Sequence, residues 1–319
     1  MAHSFFISID WGTTNFRLRL AELPELHVRE TITAPVGVRD IYQQWQQEGG
    51  DRETFFLSFL TQQAARLKTP CPANIPFVIS GMASSNIGIR ELPYAPLPFT
   101  LNGAGLSVVP LQHTLFPQEI YLISGVSTTA DVMRGEEVQL IGLAGTEETA
   151  GDAIYILPGT HSKHIFCRNG AVSHFTTFMT GELFETITKH TLLSRSVAVP
   201  EDGVQGTPAF DEGVKDSRTG GSILQTLFGI RARQLLGSRT VWENYSYLSG
   251  LLIGEEIRTL QRHDTGKIWL CAGGALQAPY ARALELCGFS GRAEIIPPSA
   301  AEAAVVRGQA RIMQQRSIF

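Results

Sequence analysis

A short unit occurs twice in this sequence: an apolar strand, a Gly-Thr turn and a second strand. In the first copy the turn is Gly12-Thr13, between the β-rich segment 4–9 and the alternating segment 16–21. In the second copy it is Gly159-Thr160, after the apolar segment 153–157. A unit used twice indicates two related halves facing a shared cleft, and 319 residues exceed what one hydrophobic core usually serves. The sequence therefore predicts an α/β protein of two domains.

Periodicity and turn residues predict the remaining elements. Further strands are predicted at residues 27–33, 76–80, 120–124 and 267–271, and a hairpin around Asn169-Gly170. Helices are predicted at residues 51–68, 181–193, 222–236, 245–262, from 275 to about 287, and 300–315. The segment 81–105 is rich in Pro, Gly, Ser and Asn, which predicts a long irregular region of the kind that often carries function.

The composition excludes several classes of protein. A net charge of −4 argues against a nucleic-acid partner, because phosphate backbones require a basic surface. The four cysteines form no CxxC pair and are too few for a disulfide scaffold. The first residues lack the basic region of a signal peptide, and no apolar run approaches the roughly 18 residues of a membrane span. We expect a cytoplasmic protein without a membrane partner, which could still bind small anions through a local positive charge.

The first glycine turn carries the groups that a phosphate site needs. Gly12 lets the backbone approach a ligand. The three polar residues after it offer hydroxyl, amide and backbone N–H donors: Thr13, Thr14 and Asn15. Asp10, at the end of the strand, could hold Mg²⁺ through water, and Arg17 adds a positive charge for a transferring phosphoryl group. The alternative is an ordinary β-hairpin.

Two later turns have a similar character. After Gly159 the chain supplies four further polar side chains, which are Thr160, Ser162, Lys163 and His164. A third turn, Gly273-Gly274, joins a strand to a helix, so a flat molecule could lie against the backbone near a helix N-terminus. Taken singly, the second turn could be any exposed polar loop and the third a tight packing turn. The three together are far more specific than any one of them.

At this point the sequence resembles a known family of enzymes. The motifs of FGGY-type carbohydrate kinases occur here in the expected order: the opening Asp-x-Gly-Thr-Thr-Ser-x-Arg pattern at residues 10–17, the second phosphate motif at 159–160, the adenosine motif at 271–275 and the closing helix at 298–310. Two further segments, 80–86 and 157–164, look like those of 2-dehydro-3-deoxygalactonokinases in particular. The sequence departs from the superfamily pattern at Trp11, which is unusually large, and at Leu157-Pro158, where many relatives have an Asp.

The resemblance implies a fold and a reaction. The fold is that of the sugar kinase/Hsp70/actin superfamily: two ribonuclease-H-like (actin-like ATPase) α/β domains with an interdomain active-site cleft. We expect an N-terminal sugar-binding domain over residues 1–118 and a C-terminal nucleotide-binding domain over 119–319, with the last helix free to pack back on the first domain. The implied reaction is ATP-dependent phosphorylation of 2-dehydro-3-deoxy-D-galactonate at the 6-hydroxyl in galactonate catabolism. ATP and Mg²⁺ are the implied cofactors, and a homodimer is the family-level expectation.

The resemblance also implies roles for individual residues. Asp131 fits the place of the catalytic base and, with Asp10, of a metal ligand, if an insertion at 145–149 accounts for the long interval to Thr160. Alternatively Asp131 caps a short helix, and Asp152 is a rival base. The predicted phosphate and nucleotide ligands are Gly12, Thr13, Thr14, Asn15, Arg17, Gly159, Thr160, Ser162, Lys163, Gly273, Gly274 and Gln277.

The substrate carboxylate requires a cation, for which the fork of an arginine is well suited. The predicted substrate residues are Ser84, Ser85, Asn86, Arg90 and Arg134, with His161 and Lys163 as further candidates for the carboxylate. Each of them could instead be a solvated loop residue. Two alternative functions stay open at this stage: a kinase for a different sugar or sugar acid, and a non-catalytic sugar or nucleotide sensor.

Overall fold

The computed structural model describes residues 4–70, 72, 74–114, 116–144, 152–199, 207–219, 221–262 and 266–319. The chain divides into two compact units. The first comprises Met1–Ala150, Gly170–His174 and Ser299–Phe319, and the second comprises Gly151–Asn169 and Phe175–Pro298. This division differs from the predicted boundary after residue 118. A cut there would split the strand Phe116–Ile123, which pairs with two other strands of the first unit. The proposed insertion at 145–149 lies outside the described residues.

The first unit is built on a six-stranded sheet with the order β3-β2-β1-β4-β8-β7. Its strands are β1 (Phe5–Trp11), β2 (Phe16–Glu22), β3 (Val28–Ala34), β4 (Phe77–Gly81), β7 (Val108–His113) and β8 (Phe116–Ile123). Strand β1 runs antiparallel to β2 and parallel to β4, and β4 runs parallel to β8. Short strands complete the unit: β5 (Ala95–Pro96), β6 (Phe99–Thr100), β9 (Val126–Ser127) and β10 (Val132–Met133).

Among the described residues of this unit, the α-helices are α1 (Val38–Glu48), α2 (Arg52–Ala64), α3 (Glu136–Leu143) and α9 (Pro298–Gln314). Helices α1 and α2 bury apolar side chains in one core with β1 and β2. Trp11 lies at the centre of that core, stacked on Phe59 and in edge contact with Phe16, which accounts for its size. In α9, the Gln309 amide donates to the Ile9 carbonyl at 2.9 Å, so this helix packs on β1 as expected.

The second unit repeats the strand order of the first. Its sheet contains β15-β14-β11-β12-β13, namely β15 (Ala293–Ile295), β14 (Lys267–Leu270), β11 (Ala153–Leu157), β12 (Ser162–Arg168) and β13 (Ala171–Phe178). Strand β11 runs antiparallel to β12 and parallel to β14, as β1 runs relative to β2 and β4. The first residues of β13 belong to the first unit, in which Ala171 and Val172 pair with β6. The repeat that the two Gly-Thr turns indicated is therefore a repeat of topology.

The described part of the second unit also contains the α-helices α4 (Thr180–His190), α5 (Pro208–Asp216), α6 (Ile223–Leu235), α7 (Val241–Ile257) and α8 (Gln277–Leu286). Helix α7 is almost wholly buried and contributes to two hydrophobic cores, one shared with β11, β14 and α8 and the other with α4 and α6. It begins four residues before the predicted start, because Thr240 and Glu243 form a capping box. No helix in the described ranges is long and apolar enough to cross a membrane.

Candidate active site

The first glycine loop connects β1 to β2, and its backbone is held by the start of α1. The Gly12 N–H donates to the Asn15 carbonyl at 2.9 Å, which closes the turn. The first two N–H groups of α1, from Val38 and Arg39, donate to the carbonyls of Gly12 and Thr13 at 3.0 and 3.3 Å. A Cβ added to Gly37 would lie 2.0 Å from the Thr13 carbonyl oxygen, so only glycine permits this contact. The loop is consequently fixed through its backbone.

The side chains of this loop remain available to a ligand. Thr13, Thr14 and Asn15 are all exposed, and the Asn15 amide donates to the Thr14 hydroxyl at 3.1 Å. Asp10 and Arg17 face each other across the β1–β2 pair, with a nitrogen–oxygen distance of 3.9 Å. Together with Gly12 and Asn15 they line a cavity of about 480 Å³. Burial raises the pKa of Asp10, and the charges of Arg17 and Arg19 oppose that shift.

Asp131 lies in the tight turn between β9 and β10, in the same unit. The Thr128 hydroxyl accepts from the Asp131 N–H at 2.8 Å, and the Asp131 carboxylate accepts from the Val132 N–H at 2.7 Å. The predicted alternative, a helix cap, is wrong because a strand follows the residue and α3 begins only at Glu136. The rival Asp152 precedes β11, whereas the second glycine loop follows β11, so the two are separated by a strand of five residues.

Several predicted substrate residues prove to be engaged within the protein. The Ser84 hydroxyl donates to the Ile123 carbonyl at 2.8 Å, and the Ser85 hydroxyl donates to the Met82 carbonyl at 2.7 Å. Both serines are buried. The Arg134 guanidinium donates to the Ser84 carbonyl at 2.6 Å and lies over the Tyr94 ring, 4.1 Å from its centroid. Arg134 thus ties the loop after β4 to the segment before α3, and the role of these three side chains in substrate binding stays a prediction.

The side chain of Arg90 is also engaged within the protein. Its guanidinium forms a bidentate pair with Glu53 on α2, with distances of 2.6 and 2.9 Å. This pair raises the pKa of Arg90 and occupies the fork that a substrate carboxylate would need. The exception among the predicted substrate residues is Asn86, whose side chain is exposed while its carbonyl accepts from Arg52 at 2.9 Å.

The second glycine loop, between β11 and β12, is fixed in a similar way by the start of α4. The Glu182 N–H donates to the Thr160 carbonyl at 3.0 Å. A Cβ on Gly181 would lie 2.5 Å from the Gly159 carbonyl oxygen, so this glycine corresponds in role to Gly37. His161 pairs with Glu182 at 2.5 Å at the surface. Sequence reasoning missed both Gly37 and Gly181, because their partners lie in another element.

The side chains of this loop differ from those of the first. Thr160 is exposed, but Ser162 and Lys163 are buried. The Ser162 hydroxyl donates to Glu256 at 2.6 Å, and the Lys163 ammonium donates to the Thr177 hydroxyl at 2.8 Å. Strand β12 begins at Ser162 and carries both side chains into the interior, and their predicted role as phosphate ligands stays a prediction.

A cavity of about 170 Å³ lies beside this loop in the second unit. Its walls come from the loop itself, α4, α7, and the turn and helix after β14; they include Gly159, Gly181, Leu252, Leu276 and Tyr280. Most of the lining is apolar, as a flat aromatic ring requires. Gln277 is the first residue of α8, between the lining residues Leu276 and Pro279.

At three of the predicted glycines, the surrounding atoms leave room for a side chain. A Cβ added to Gly159, Gly273 or Gly274 would meet no described atom within 4 Å outside the adjoining residues. Gly274 has a φ of +54°, which favours glycine on its own, but the other two do not share this constraint. Open space at a glycine beside a cavity is what the close approach of a ligand to the backbone requires.

Comparison with known proteins identifies the family. The sequence model of 2-keto-3-deoxy-galactonokinase matches residues 10–312. The chain belongs to this family. It is 33% identical to DgoK1 of Rhizobium meliloti strain 1021, named a probable 2-dehydro-3-deoxygalactonokinase, over 91% of this chain and 92% of that one. It is 32% identical to the 2-dehydro-3-deoxygalactonokinase of Escherichia coli K12, over 89% and 90%.

A solved structure of the same kinase family confirms the fold. The crystal structure of a Sinorhizobium meliloti protein assigned as a 2-dehydro-3-deoxygalactonokinase has a TM-score of 0.82 to this chain, with 30% identity over 98% of this chain and 99% of that one. The predicted class, two ribonuclease-H-like α/β domains, agrees with this likeness and with the repeated strand order of the two sheets. Because it belongs to the 2-keto-3-deoxy-galactonokinase family, the chain is a sugar-acid kinase.

Proposed function

We propose that the chain transfers the γ-phosphoryl group of ATP to the 6-hydroxyl of 2-dehydro-3-deoxy-D-galactonate, in galactonate catabolism. The observation that carries this proposal is the pair of glycine loops at the carboxyl ends of β1 and β11, each held by the start of a helix. Loops of this kind present backbone N–H groups to phosphate. The curated relatives named for this activity supply the substrate.

In this proposal the second unit binds the adenosine part of ATP in the 170 Å³ cavity. The apolar walls suit the base, and the open side of Gly273 and Gly274 allows the ribose to approach the backbone. Gly159 and Thr160 reach the phosphates through the loop backbone and the exposed Thr160 hydroxyl. Thr13, Thr14 and Asn15 perform the same task in the first loop.

Asp131 is the proposed general base. Phosphoryl transfer to an alcohol needs a carboxylate that accepts the hydroxyl proton while the phosphate charge is stabilised. Asp131 is partly exposed. It lies in a short turn whose two ends are held together by the pairing of β9 with β10. Asp152 is unsuited to this role because it lies at the far end of β11 from the glycine loop. Asn86 remains a candidate for a substrate hydroxyl.

Mg²⁺ is proposed as a cofactor, held through water by Asp10 and by the phosphates of ATP. Among the described residues no group of three His, Cys, Asp or Glu side chains could hold a metal ion. Magnesium bound to nucleotides keeps several waters and needs only one or two carboxylates, so the single carboxylate of Asp10, which lines a cavity open to a ligand, fits. Such an ion neutralises charge on the phosphates. Asp131 is the other predicted metal ligand.

The proposal is tested by ADP release from Mg-ATP with a panel of sugars and sugar acids, including both C4 epimers of 2-dehydro-3-deoxy-hexonate. We expect turnover on the galacto epimer far above every other compound. Turnover on a different sugar would keep the kinase and replace the substrate. ATP binding without turnover on any compound would favour a sensor.

The base is tested separately with Asp131→Asn. We expect kcat to fall by about 10²–10⁴-fold, the usual contribution of general base catalysis. Asp152→Asn is the matched control and should retain near-native kcat. Affinity for ATP, measured by calorimetry, should change little in either variant, and a kcat near that of the native enzyme in Asp131→Asn would remove the residue from this role.

We further propose a cytoplasmic homodimer, with the outer face of α6 as the contact. Three side chains of α6 are more than half exposed, namely Leu224, Phe228 and Leu235, as are Leu236 directly after this helix and Trp242 at the start of α7. Two of the five, Phe228 and Trp242, are aromatic, and aromatic side chains are enriched in protein–protein interfaces.

The oligomer is tested by light scattering on the native chain and on Phe228→Glu. We expect a dimer for the native chain and a folded monomer for the variant. A monomeric native chain, or a dimer that survives Phe228→Glu, would contradict the proposed contact.

A further inference from the structure

Glu256 is a carboxylate in the interior of the second unit that the proposed reaction does not use. It lies near the end of α7, and only 2% of its surface is exposed. A buried ionised carboxylate is costly unless hydrogen bonds replace its water. The contacts of Glu256 therefore have to account for its presence.

Four side chains contact the two oxygens of this carboxylate. Oε1 lies 2.6 Å from the Ser162 hydroxyl and 3.0 Å from the His164 ring. Oε2 accepts from the Tyr280 hydroxyl at 2.8 Å and from the Thr180 hydroxyl. A carboxylate offers about four acceptor sites, so the set is filled. Burial alone would raise the pKa of Glu256, but the hydrogen bonds from His164, Ser162 and Thr180 lower it.

The same elements that supply the donors form the walls of the 170 Å³ cavity. Ser162 begins the strand that leaves the second glycine loop, and Thr180 begins the helix that holds this loop. Thr180 and Tyr280 line the cavity themselves, and α7 contributes Leu252 and Ile253 just before Glu256. One carboxylate thus joins four separate parts of the wall.

We propose that Glu256 is a positioning residue of the nucleotide site: its carboxylate holds the second glycine loop, α4 and α8 in the arrangement that receives ATP. This inference rests on the proposed function, since it assigns the cavity to the nucleotide. Glu256 does not touch the ligand. Its effect passes through Thr180, Tyr280 and the loop, so it should alter nucleotide affinity more than the rate of phosphoryl transfer.

The test compares Glu256→Gln with a matched control, Asp216→Asn, in the full chain. The Asp216 carboxylate accepts from the Tyr247 hydroxyl at 2.6 Å in the same unit, and neither residue lines the cavity. Calorimetry with ADP and with ATP gives the affinities, steady-state assays give KM for ATP and for the sugar acid, and thermal unfolding gives the stability of each variant.

We expect Glu256→Gln to weaken ADP and ATP binding at least fivefold, raise KM for ATP by a similar factor and leave KM for the sugar acid within twofold. Asp216→Asn should keep all four values within twofold of the native chain at a similar loss of thermal stability. Equal nucleotide affinity in Glu256→Gln and the native chain would overturn the inference alone. A native chain that binds neither ADP nor ATP would overturn the proposed function as well.

A second variant covers the case in which Glu256→Gln does not fold. Ser162→Ala removes one donor to the carboxylate at a side chain that is fully buried and does not line the cavity. A change in nucleotide affinity in this variant must therefore pass through the Glu256 network. We expect a two- to fivefold loss of ADP affinity, and an unchanged affinity in the folded variant would overturn the proposal.

Discussion

The two glycine loops occupy equivalent places in their sheets but use their side chains differently. Each follows the first strand of a repeated unit, and each is held against the start of a helix at a glycine, Gly37 for the first and Gly181 for the second. The first loop exposes Thr13 and its polar neighbours. The second buries Ser162 against a carboxylate. The difference shows that the shared topology fixes the path of the backbone in both loops. The local sequence of each loop then determines which side chains are exposed to a ligand.

The buried glutamates of the two units differ in a related way. Glu256 has four side-chain donors, and its pKa is lowered. Glu137, fully buried at the start of α3, accepts from the Gly135 N–H at 2.8 and 2.9 Å, and burial together with the charge of Glu136 raises its pKa to about 8. Two carboxyl groups of similar burial therefore have pKa values shifted in opposite directions, because the hydrogen-bond donors and nearby charges around them differ.

The largest effect is expected at the glycines that hold the loops. Gly37→Ala would place a Cβ 2.0 Å from the Thr13 carbonyl oxygen, and Gly181→Ala would place one 2.5 Å from the Gly159 carbonyl oxygen. Because the backbone must move in both variants, we expect kcat/KM to fall by at least 100-fold in each. The fall should be larger in Gly37→Ala, where the added Cβ lies closer to the backbone. The measurement is steady-state kinetics with thermal unfolding.

The control for these substitutions is Gly229→Ala, a glycine within α6 whose added Cβ would meet no described atom within 4 Å. It should keep full activity and gain about 0.5–1 kcal/mol of stability, the usual difference between alanine and glycine in a helix. Native activity in Gly37→Ala or Gly181→Ala would contradict the proposal that each of these glycines holds its loop in the active arrangement.

The side chains of the loops should separate catalysis from packing. Thr13→Val removes an exposed hydroxyl, so we expect about a tenfold loss of kcat, roughly the 1.4 kcal/mol of one hydrogen bond, with an unchanged unfolding temperature. Ser162→Ala removes a buried donor, so we expect a loss of about 1–2 kcal/mol in the free energy of unfolding with a smaller change in kcat. Reversed results would show that the second loop, and not the first, presents its side chains to the phosphates.

The buried glutamates should differ in their pH dependence. Between the ordinary pKa of 4.5 and the folded value of about 8, folded Glu137 binds a proton that the unfolded chain has released, so its contribution to stability falls as pH rises. Glu137→Gln should therefore gain stability relative to the native chain between about pH 5 and pH 8, measured by urea unfolding. For Glu256→Gln the difference should stay constant over this range, since the lowered pKa of Glu256 places its titration below it.

The smallest effect is expected at the Arg90–Glu53 pair. Its side chains are 41% and 26% exposed, so a double-mutant cycle with alanine should give a coupling energy of at most about 1 kcal/mol. KM for the sugar acid should stay within twofold in Arg90→Ala. A large rise in that KM, with no change in KM for ATP, would show that Arg90 binds the carboxylate of the sugar acid.

Much of the fold could be predicted from the sequence because its signals are local. Strand β11 has the predicted bounds, and Asp51 caps α2 as expected, accepting from the Thr54 N–H at 2.8 Å. Helix α1 was missed because Gly37 offers no side-chain cap and few of its residues are buried. The stripe of Val38, Ile41, Tyr42 and Trp45 was the signal that could have identified it.

The contacts around the candidate site could not be predicted because they join residues that are distant in sequence. Arg90 and Arg134 have the charge and loop position of substrate ligands, but their partners lie 37 and 50 residues away. Glu256 is 94 residues from Ser162. A pattern of neighbours cannot reveal such pairs, whereas the glycine loops are themselves local and could be identified.

The most direct test of the proposed reaction is the position of the phosphate in the product. The enzyme is incubated with Mg-ATP and 2-dehydro-3-deoxy-D-galactonate, and the product is examined by phosphorus–proton correlation NMR. We predict a single sugar-acid phosphate whose phosphorus couples to the two protons on C6, with one ADP formed per phosphate. Phosphate on another hydroxyl, or ADP and inorganic phosphate without a phosphorylated acid, would contradict the account.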